Sequence, residues 1–340
     1  MATNGVKDLI SRIEKKFGKE AVSHGTANVD FLHSGSFGLD IALGGGWAIG
    51  RIIEIYGPES CGKTTAAIHA AVEMQKTGRA VGYVDVEQAM DPEYMQSLGL
   101  DMSDEKFILS QPDNAEQAME IVRIMCEEPA IGLVVLDSVA GLTPTATLMG
   151  EAGDAKMALV ARLMSAQLNI LKNICKKNNC ILFCINQIRD KVGGGFGFGA
   201  ATTQTPGGRA LRFYSSQRAE MARIGSEKEG EETVANKTRI TVKKNKVAKP
   251  YRKCDILIRF GIGFDQIQEI VDLAIEYKIC TKKGSFFYYG SGDDSYRLGQ
   301  GMANVREILA KDSALLEEIK DLTTQAIQEA EAKEEEDETD

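Results

Sequence analysis

The chain has 340 residues, 43% hydrophobic and 26% charged, with a net charge of −9. That is enough apolar material for about two domains whose cores close without disulfides. No apolar run nears the ~18 residues of a membrane helix, and seven cysteines and three histidines show no zinc-ligand spacing. Residues 1–20 mix charged and apolar side chains throughout, so no signal peptide is expected. The sequence points to a cytoplasmic protein with reduced thiols and no membrane partner. Charge is uneven: residues 327–340 hold eight acids and one lysine, net −7, leaving −2 on the rest. Such a run normally reads as a solvated, disordered tail. A body near neutrality can still carry basic patches, so a nucleic-acid partner is not excluded.

In chain order, Val6, Leu9, Ile10, Ile13 and Phe17 recur at helical spacing. This predicts an amphipathic helix within an N-terminal arm, residues 1–33. It either packs on its own domain or docks on a neighbouring subunit. A core domain is expected over 34–260. Its apolar runs 52–56, 80–86, 107–109, 131–136 and 180–185 alternate with helical patterns near 63–77, 91–98, 114–127 and 157–177. Near-continuous apolar strands between helices predict an α/β fold with a mostly parallel sheet covered on both faces. Residues 210–225, 238–247 and 253–260 read as strands that extend the sheet antiparallel. A small α+β domain is expected over 261–326, with helices near 265–277 and 302–310. A last helix from about 313 runs into the acidic tail, 327–340.

The chemistry begins at Gly57-Pro58-Glu59-Ser60-Cys61-Gly62-Lys63-Thr64, which fits G-x-x-x-x-G-K-[ST] between a strand and a helix. Glycines let the backbone curl so that successive N–H groups face phosphate oxygens. The helix N-terminus adds its dipole. Lys63 supplies a charge for the outer phosphates, and the Thr64 hydroxyl suits Mg²⁺. Asp137 ends the apolar strand Leu133–Leu136, facing the crevice where ligands bind in such sheets; it is expected to hold Mg²⁺ through water. Glu87, at the end of another strand, is the expected general base, with Asp85 a competitor two residues earlier. Gln187 ends a further strand and leads into the Gly-rich segment Lys191–Gly208, which contains Phe196 and Phe198 and no acid. Its length and composition mean either a disordered segment or a binding loop; the aromatics within it and the flanking Lys191, Arg209 and Arg212 suit a loop that binds a single-stranded polyanion. Lys244 and Lys246 are expected either at a solvated edge or beside a neighbouring subunit's nucleotide.

The blocks GPESCGKTT, DVEQAMDPEY, LDSVAGLTP, INQIR, TPGGRALRFY and VKKNKVAKP, in this order, closely resemble the bacterial RecA recombinases. The resemblance spans roughly residues 1–325. It implies a RecA-type ATPase core, ATP and Mg²⁺ as cofactors, and a helical filament of copies on single-stranded DNA. That filament would pair with duplex DNA and activate self-cleavage of a LexA-type repressor, placing the protein in DNA repair and the SOS response. By motif, Glu87 resembles the catalytic glutamate and Gln187 the γ-phosphate sensor. Lys63 and Thr65 fall in the nucleotide set with Asp91, Tyr94 and Phe260, which match residues at the adenine. Lys244 and Lys246 match the pair that reaches the neighbour's ATP, and Phe213 an interface aromatic. Segments 150–157 and 191–209 resemble the two DNA-binding loops, which implies DNA contacts from Met157, Arg162, Ser165, Arg189, Lys191, Val192, Phe196, Gly207, Gly208 and Arg209. The second loop is two or three residues longer than usual and lacks its usual acid. Lys156 stands where His is common, Asn169 where a base is frequent, and Cys61 where Ser is usual. A RecA-fold helicase motor and a non-catalytic ATP-binding scaffold are the alternatives; retention of Glu87 argues against the scaffold.

Overall fold

The computed structural model describes residues 2–18, 21–22, 29–150, 154–188, 206–290, 292 and 295–337. The chain divides into two compact units, Met1–Asp30 and Phe31–Asp340. The first is built on helix α1 (Ala2–Phe17). Val6, Leu9 and Phe17 of its apolar stripe are exposed.

The second unit opens with β1 (Phe31–Leu32), α2 (Phe37–Leu43) and β2 (Trp47–Ala48). There follow β3 (Ile52–Gly57), α3 (Lys63–Lys76), β4 (Ala80–Asp85), α4 (Pro92–Ser97), β5 (Phe107–Ser110), α5 (Ala115–Glu127) and β6 (Ile131–Asp137). Next come α6 (Thr145–Leu148), α7 (Asp154–Asn178), β7 (Ile181–Gln187), α8 (Gly208–Tyr214), β8 (Gln217–Glu229), β9 (Glu232–Asn245), β10 (Lys253–Arg259) and β11 (Gly263–Phe264). The chain closes with α9 (Gln266–Glu276), β12 (Cys280–Lys283), β13 (Phe286–Tyr289), β14 (Tyr296–Gln300), α10 (Met302–Lys311) and α11 (Ser313–Asp337).

Nine strands form one sheet in the order β11-β10-β9-β8-β3-β7-β6-β4-β5. From β8 to β5 neighbours run parallel; β8 to β11 pair antiparallel. Alternation within the buried strands divides the core between two faces. Ile53, Ile55, Leu133, Val135, Phe183 and Ile185 meet α3 and Trp47 on one face. Ile52, Val134, Leu136, Leu182 and Cys184 meet α5 and α7 on the other. Burial on both sides is what makes each strand a continuous apolar run. A third, smaller core joins α9, α10 and α11 to the sheet β12-β13-β14.

Two expectations fail. Residues 210–214, expected as the start of a strand over 210–225, belong instead to helix α8, and the strand begins at Gln217. The run Ala210-Leu211-Arg212-Phe213-Tyr214 alternates like a strand, yet only Leu211 is buried, while Phe213 is 71% exposed. Left-handed Gly207 caps this helix, and a Cβ at Gly208 would lie 2.9 Å from Ala161 Cβ, so α8 starts hard against α7. The acidic end is not disordered up to Asp337: the backbone of α11 continues to that residue. Ile319, Thr323 and Ile327, at four-residue spacing, are all buried, and Glu331 pairs with Arg252 at 3.0 Å. Anchored side chains at that spacing hold a sequence rich in good helix formers as helix.

Candidate nucleotide site and polyanion face

The carboxyl ends of β3, β4, β6 and β7 meet at one crevice. Residues 57–62 curl there through left-handed Ser60 (φ 55°) and Gly62 (φ 94°). Neither glycine tolerates a side chain: a Cβ at Gly57 would lie 2.2 Å from Met221 O, and one at Gly62 2.1 Å from Ile258 Cδ1. The loop is also pinned from β9, where Thr238 Oγ1 donates to Cys61 O at 3.2 Å. Pro58, Glu59 and Ser60 are exposed and Cys61 is buried. Lys63 opens α3 nearly buried, its ammonium donating to Gly57 O (3.2 Å) and Pro58 O (2.5 Å). Curled amides, a helix N-terminus and one restrained cation make an anion cradle.

Around the cradle stand three carboxylates. Asp137 Oδ2 accepts from Thr64 Oγ1 at 3.1 Å and from the buried Tyr83 hydroxyl at 2.7 Å. Burial pushes the Asp137 carboxyl up, and the charges of Glu87 and Asp85 add to this against its two hydrogen bonds. Burial first, then the charge on Asp137, drives the Tyr83 hydroxyl well above its ordinary value, so it stays a donor. A carboxylate so placed beside a hydroxyl fits a hard divalent cation. Among the described residues no group of three or more His, Cys, Asp or Glu could hold a metal alone. Glu87 Oε1 accepts from Gln187 Nε2 at 3.3 Å and from Ser138 Oγ. Asp85 is turned inward, its oxygens taken by Met90 N, Ala89 N and Gln111 Nε2.

On the side of α4, Asp91 caps the helix by accepting from Glu93 N and Tyr94 N. Tyr94 OH reaches Thr65 Oγ1 at 2.8 Å, tying this helix to α3. Phe260, beyond β10, is 55% exposed. Met157, Arg162 and Ser165 are exposed on α7; Arg162 and Ser165 point away from buried Val160, Met164 and Leu168, while Met157 is one turn before Val160 on that same stripe. Gly207, Gly208 and Arg209 reach the same helix through the Gly208–Ala161 approach. Arg189, Lys191, Val192 and Phe196 lie outside the described residues. Lys244 Nζ donates to Arg212 O and Phe213 O at the end of α8. Burial, reinforced by Lys246 and Arg218, pushes its ammonium down to about 8. Lys246 is exposed just beyond β9.

The sequence alone missed the partners that hold these groups. Tyr83 lies in the apolar run 80–86 and Ser138 in the block LDSVAGLTP, but only the crevice shows what they touch. A buried Glu54 on β3 pairs with Arg218 on β8 and accepts from Asn186 Nδ2 at 3.0 Å. Asn186 also donates to Pro206 O at 3.0 Å, joining β7 to the far end of the Gly-rich segment. A cavity of about 1140 Å³ lies elsewhere, between β9–β10 and α9–α11; none of the predicted site residues lines it.

Sheet and cradle together define a P-loop nucleotide-binding α/β protein. Residues 4–265 match the family model described as the RecA N-terminal domain, and residues 268–328 that of the RecA C-terminal domain. Protein RecA of Psychrobacter arcticus is 45% identical over 320 residues, 92% of this chain and 88% of that protein. Protein RecA of Clostridium beijerinckii is 46% identical over 312 residues, 90% of this chain and 84% of that protein. The RadB recombinase crystal structure shares the fold at a TM-score of 0.52 and 24% identity, covering 69% of this chain and 98% of that one. The chain belongs to the RecA family of recombinases. Among the described residues no helix is long and apolar enough to cross a membrane.

Proposed function

We propose that the chain is a DNA-dependent ATPase and homologous recombinase. Copies assemble with ATP as a helical filament on single-stranded DNA, pair that strand with homologous duplex, and prompt self-cleavage of a LexA-type repressor in the cytoplasm. The observation that carries the reading is the convergence of Lys63, Thr64, Asp137, Glu87 and Gln187 on one crevice, with Gln187 both touching Glu87 and leading into the Gly-rich segment. When bound, Mg²⁺ supplies charge neutralisation for the phosphates; Thr64 and Asp137 are the groups that hold it. Lys63 binds the outer phosphates, and Asp91, Tyr94 and Phe260 hold the base. Glu87 takes the proton of the attacking water as its oxygen bonds to the γ-phosphorus. The bond from that phosphorus to the bridging oxygen breaks, releasing ADP and phosphate. Lys244 and Lys246 stabilise the developing charge in a neighbour's site. Exposed Phe213 and the apolar stripe of α1 provide surfaces for that neighbour. The sides of α7 and α8 described above, with the Gly-rich segment between, form the DNA face.

The test is ATP turnover with and without single-stranded DNA, joined to strand exchange. Wild type is expected to turn over ATP only slowly alone and many-fold faster with DNA, and to exchange strands rather than unwind a tailed duplex. Lys63→Ala should lose nucleotide binding, and Glu87→Gln should bind ATP and DNA yet lose hydrolysis by ~100-fold or more. A Glu87→Gln chain that hydrolyses at the wild-type rate overturns the assignment of the base.

A further inference from the structure

Asp85 is 3% exposed at the end of β4, with Asp137 its lateral partner across the sheet. Its carboxylate accepts from Met90 N at 3.2 Å, Ala89 N at 3.5 Å and Gln111 Nε2 at 3.1 Å. Those two amides belong to the loop that carries Glu87. The same loop is fixed at its start by Val86 N donating to Asp137 O at 2.7 Å. Between the two anchors the chain passes through Gln88 at φ 53°, left-handed backbone that a residue with a side chain adopts only under restraint. Glu87 sits at the exposed crest of this turn. The buried carboxylate inside the turn thus dictates where the exposed one points.

We infer that Asp85 is a positioning residue: with Gln111 it holds the strained 86–90 turn that aims Glu87 at the attacking water. The inference rests on Glu87 being the base, as proposed above. A carboxylate suits the role because its two oxygens accept all three donors, whereas an apolar replacement leaves two amides and a carboxamide without partners. Release of the turn lets Gln88 relax and swings Glu87 away from Gln187 and Ser138. Lys63, Thr64 and Thr65, carried by α3, keep their places. The loss therefore falls on the hydrolytic step and spares nucleotide binding. A displacement of about 1 Å at a reacting group costs ~100-fold in rate.

The experiment measures two quantities separately on the full chain: single-turnover ATP hydrolysis on oligo-dT, and affinity for a non-hydrolysable ATP analogue. Asp85→Ala should lower the rate ~30- to 100-fold and leave analogue affinity within ~2-fold. In Asp85→Asn the amide oxygen, seated where Oδ2 stands, accepts from both Met90 N and Gln111 Nε2, and only the longer 3.5 Å bond from Ala89 N is lost. That variant should recover to within ~5-fold of wild type. Were Asp85 itself the base, Asn would be as inactive as Ala. Gln111→Leu removes a single donor without touching the backbone amides and should lose ~3-fold in rate, again at unchanged affinity. Thermal unfolding checks each variant; if Asp85→Ala does not fold, Asp85→Asn and Gln111→Leu decide. An inactive, folded Asp85→Asn chain overturns the inference, as does a fully active Asp85→Ala chain or parallel loss of affinity and rate. Glu87→Gln separates the two readings. Should it hydrolyse normally, the base assignment fails; should it be inactive while Asp85→Ala is active, only the positioning role fails.

Discussion

At the scale of single residues, two buried groups away from the crevice set opposing pH dependences. His69 on α3 accepts from Phe264 N at 2.9 Å and stacks on that ring at 4.2 Å. Burial, helped by Lys76, lowers it from 6.5 to about 4. Glu269 on α9 accepts from Ser36 Oγ, Phe37 N and Gly38 N at the start of α2. Burial outweighs these bonds and, with the nearby charge of Asp40, raises it from 4.5 to about 7. Above pH 6.5 the histidine is neutral in both states. As pH falls toward 4 the unfolded chain gains that proton first, and stability is lost on acidification. The glutamate works the other way. Below pH 4.5 it is protonated in both states; as pH rises toward 7 the unfolded chain ionises first, and stability is lost on alkalinisation. The two slopes oppose between pH 4.5 and 6.5. Relative to wild type, His69→Gln should gain stability on acidification and Glu269→Gln should lose it, each by up to ~1.4 kcal/mol per pH unit. Urea unfolding of the three proteins across that window gives the slopes; two variants parallel to wild type would show that neither group titrates as its surroundings require.

At the scale of elements, the ends opposite the crevice are closed by Arg79, just before β4. Its guanidinium donates to Asn179 O, Pro129 O, Ile131 O and Asn178 O, joining the loop after α5 to the turn after α7. The ammonium of a lysine has no planar fork to match four carbonyls. Arg79→Lys should cost ~1–2 kcal/mol in urea unfolding without altering nucleotide affinity, and an unchanged midpoint would mean that water replaces the clamp. The elements themselves divide by how locally they are determined. The parallel strands β3, β4, β6 and β7 were legible because burial on both faces leaves no polar alternation to confuse, and edge strand β5 was legible as a short apolar run although Ile108 and Leu109 are exposed. The placement of Lys63, Thr64, Asp137 and Glu87 at the carboxyl ends of the strands was legible because each lies at or just after a strand end in the chain. Helix α8 was not, since its alternating run mimics a strand and only the approach of Gly208 to Ala161 decides. Nor were the partners of the carboxylates: Asp85 and Glu87 look equivalent as two acids two residues apart. What separates them is a turn whose donors come from Ala89, Met90 and, across the sheet, Gln111.

At the scale of the whole molecule, the distribution of charge carries the last prediction. The body is nearly neutral while residues 328–340 hold the net −7. The start of that segment is held as helix: Ile327 is buried, and Glu331 pairs with Arg252 in a groove also lined by Lys249 and Lys253. An acidic helix on basic side chains competes with any other polyanion for them, and phosphate binding is itself steeply salt-dependent. Truncation after Ile327 keeps the buried anchor and removes eight acids with one lysine, a net −7. We expect faster uptake of duplex DNA by the truncated chain, and strand exchange at lower Mg²⁺, since divalent cations otherwise have to screen the acidic end. The difference should shrink with salt as the Debye length falls from ~10 Å at 0.1 M to ~3 Å at 1 M. Arg252→Gln in the full chain separates release of the helix from loss of its charge. If release is what matters, this variant moves toward the truncated protein although all the acids remain. Duplex-binding rates against NaCl and MgCl₂ for the three proteins give the answer. Superimposed curves would show that the acids act on nothing beyond the helix that carries them.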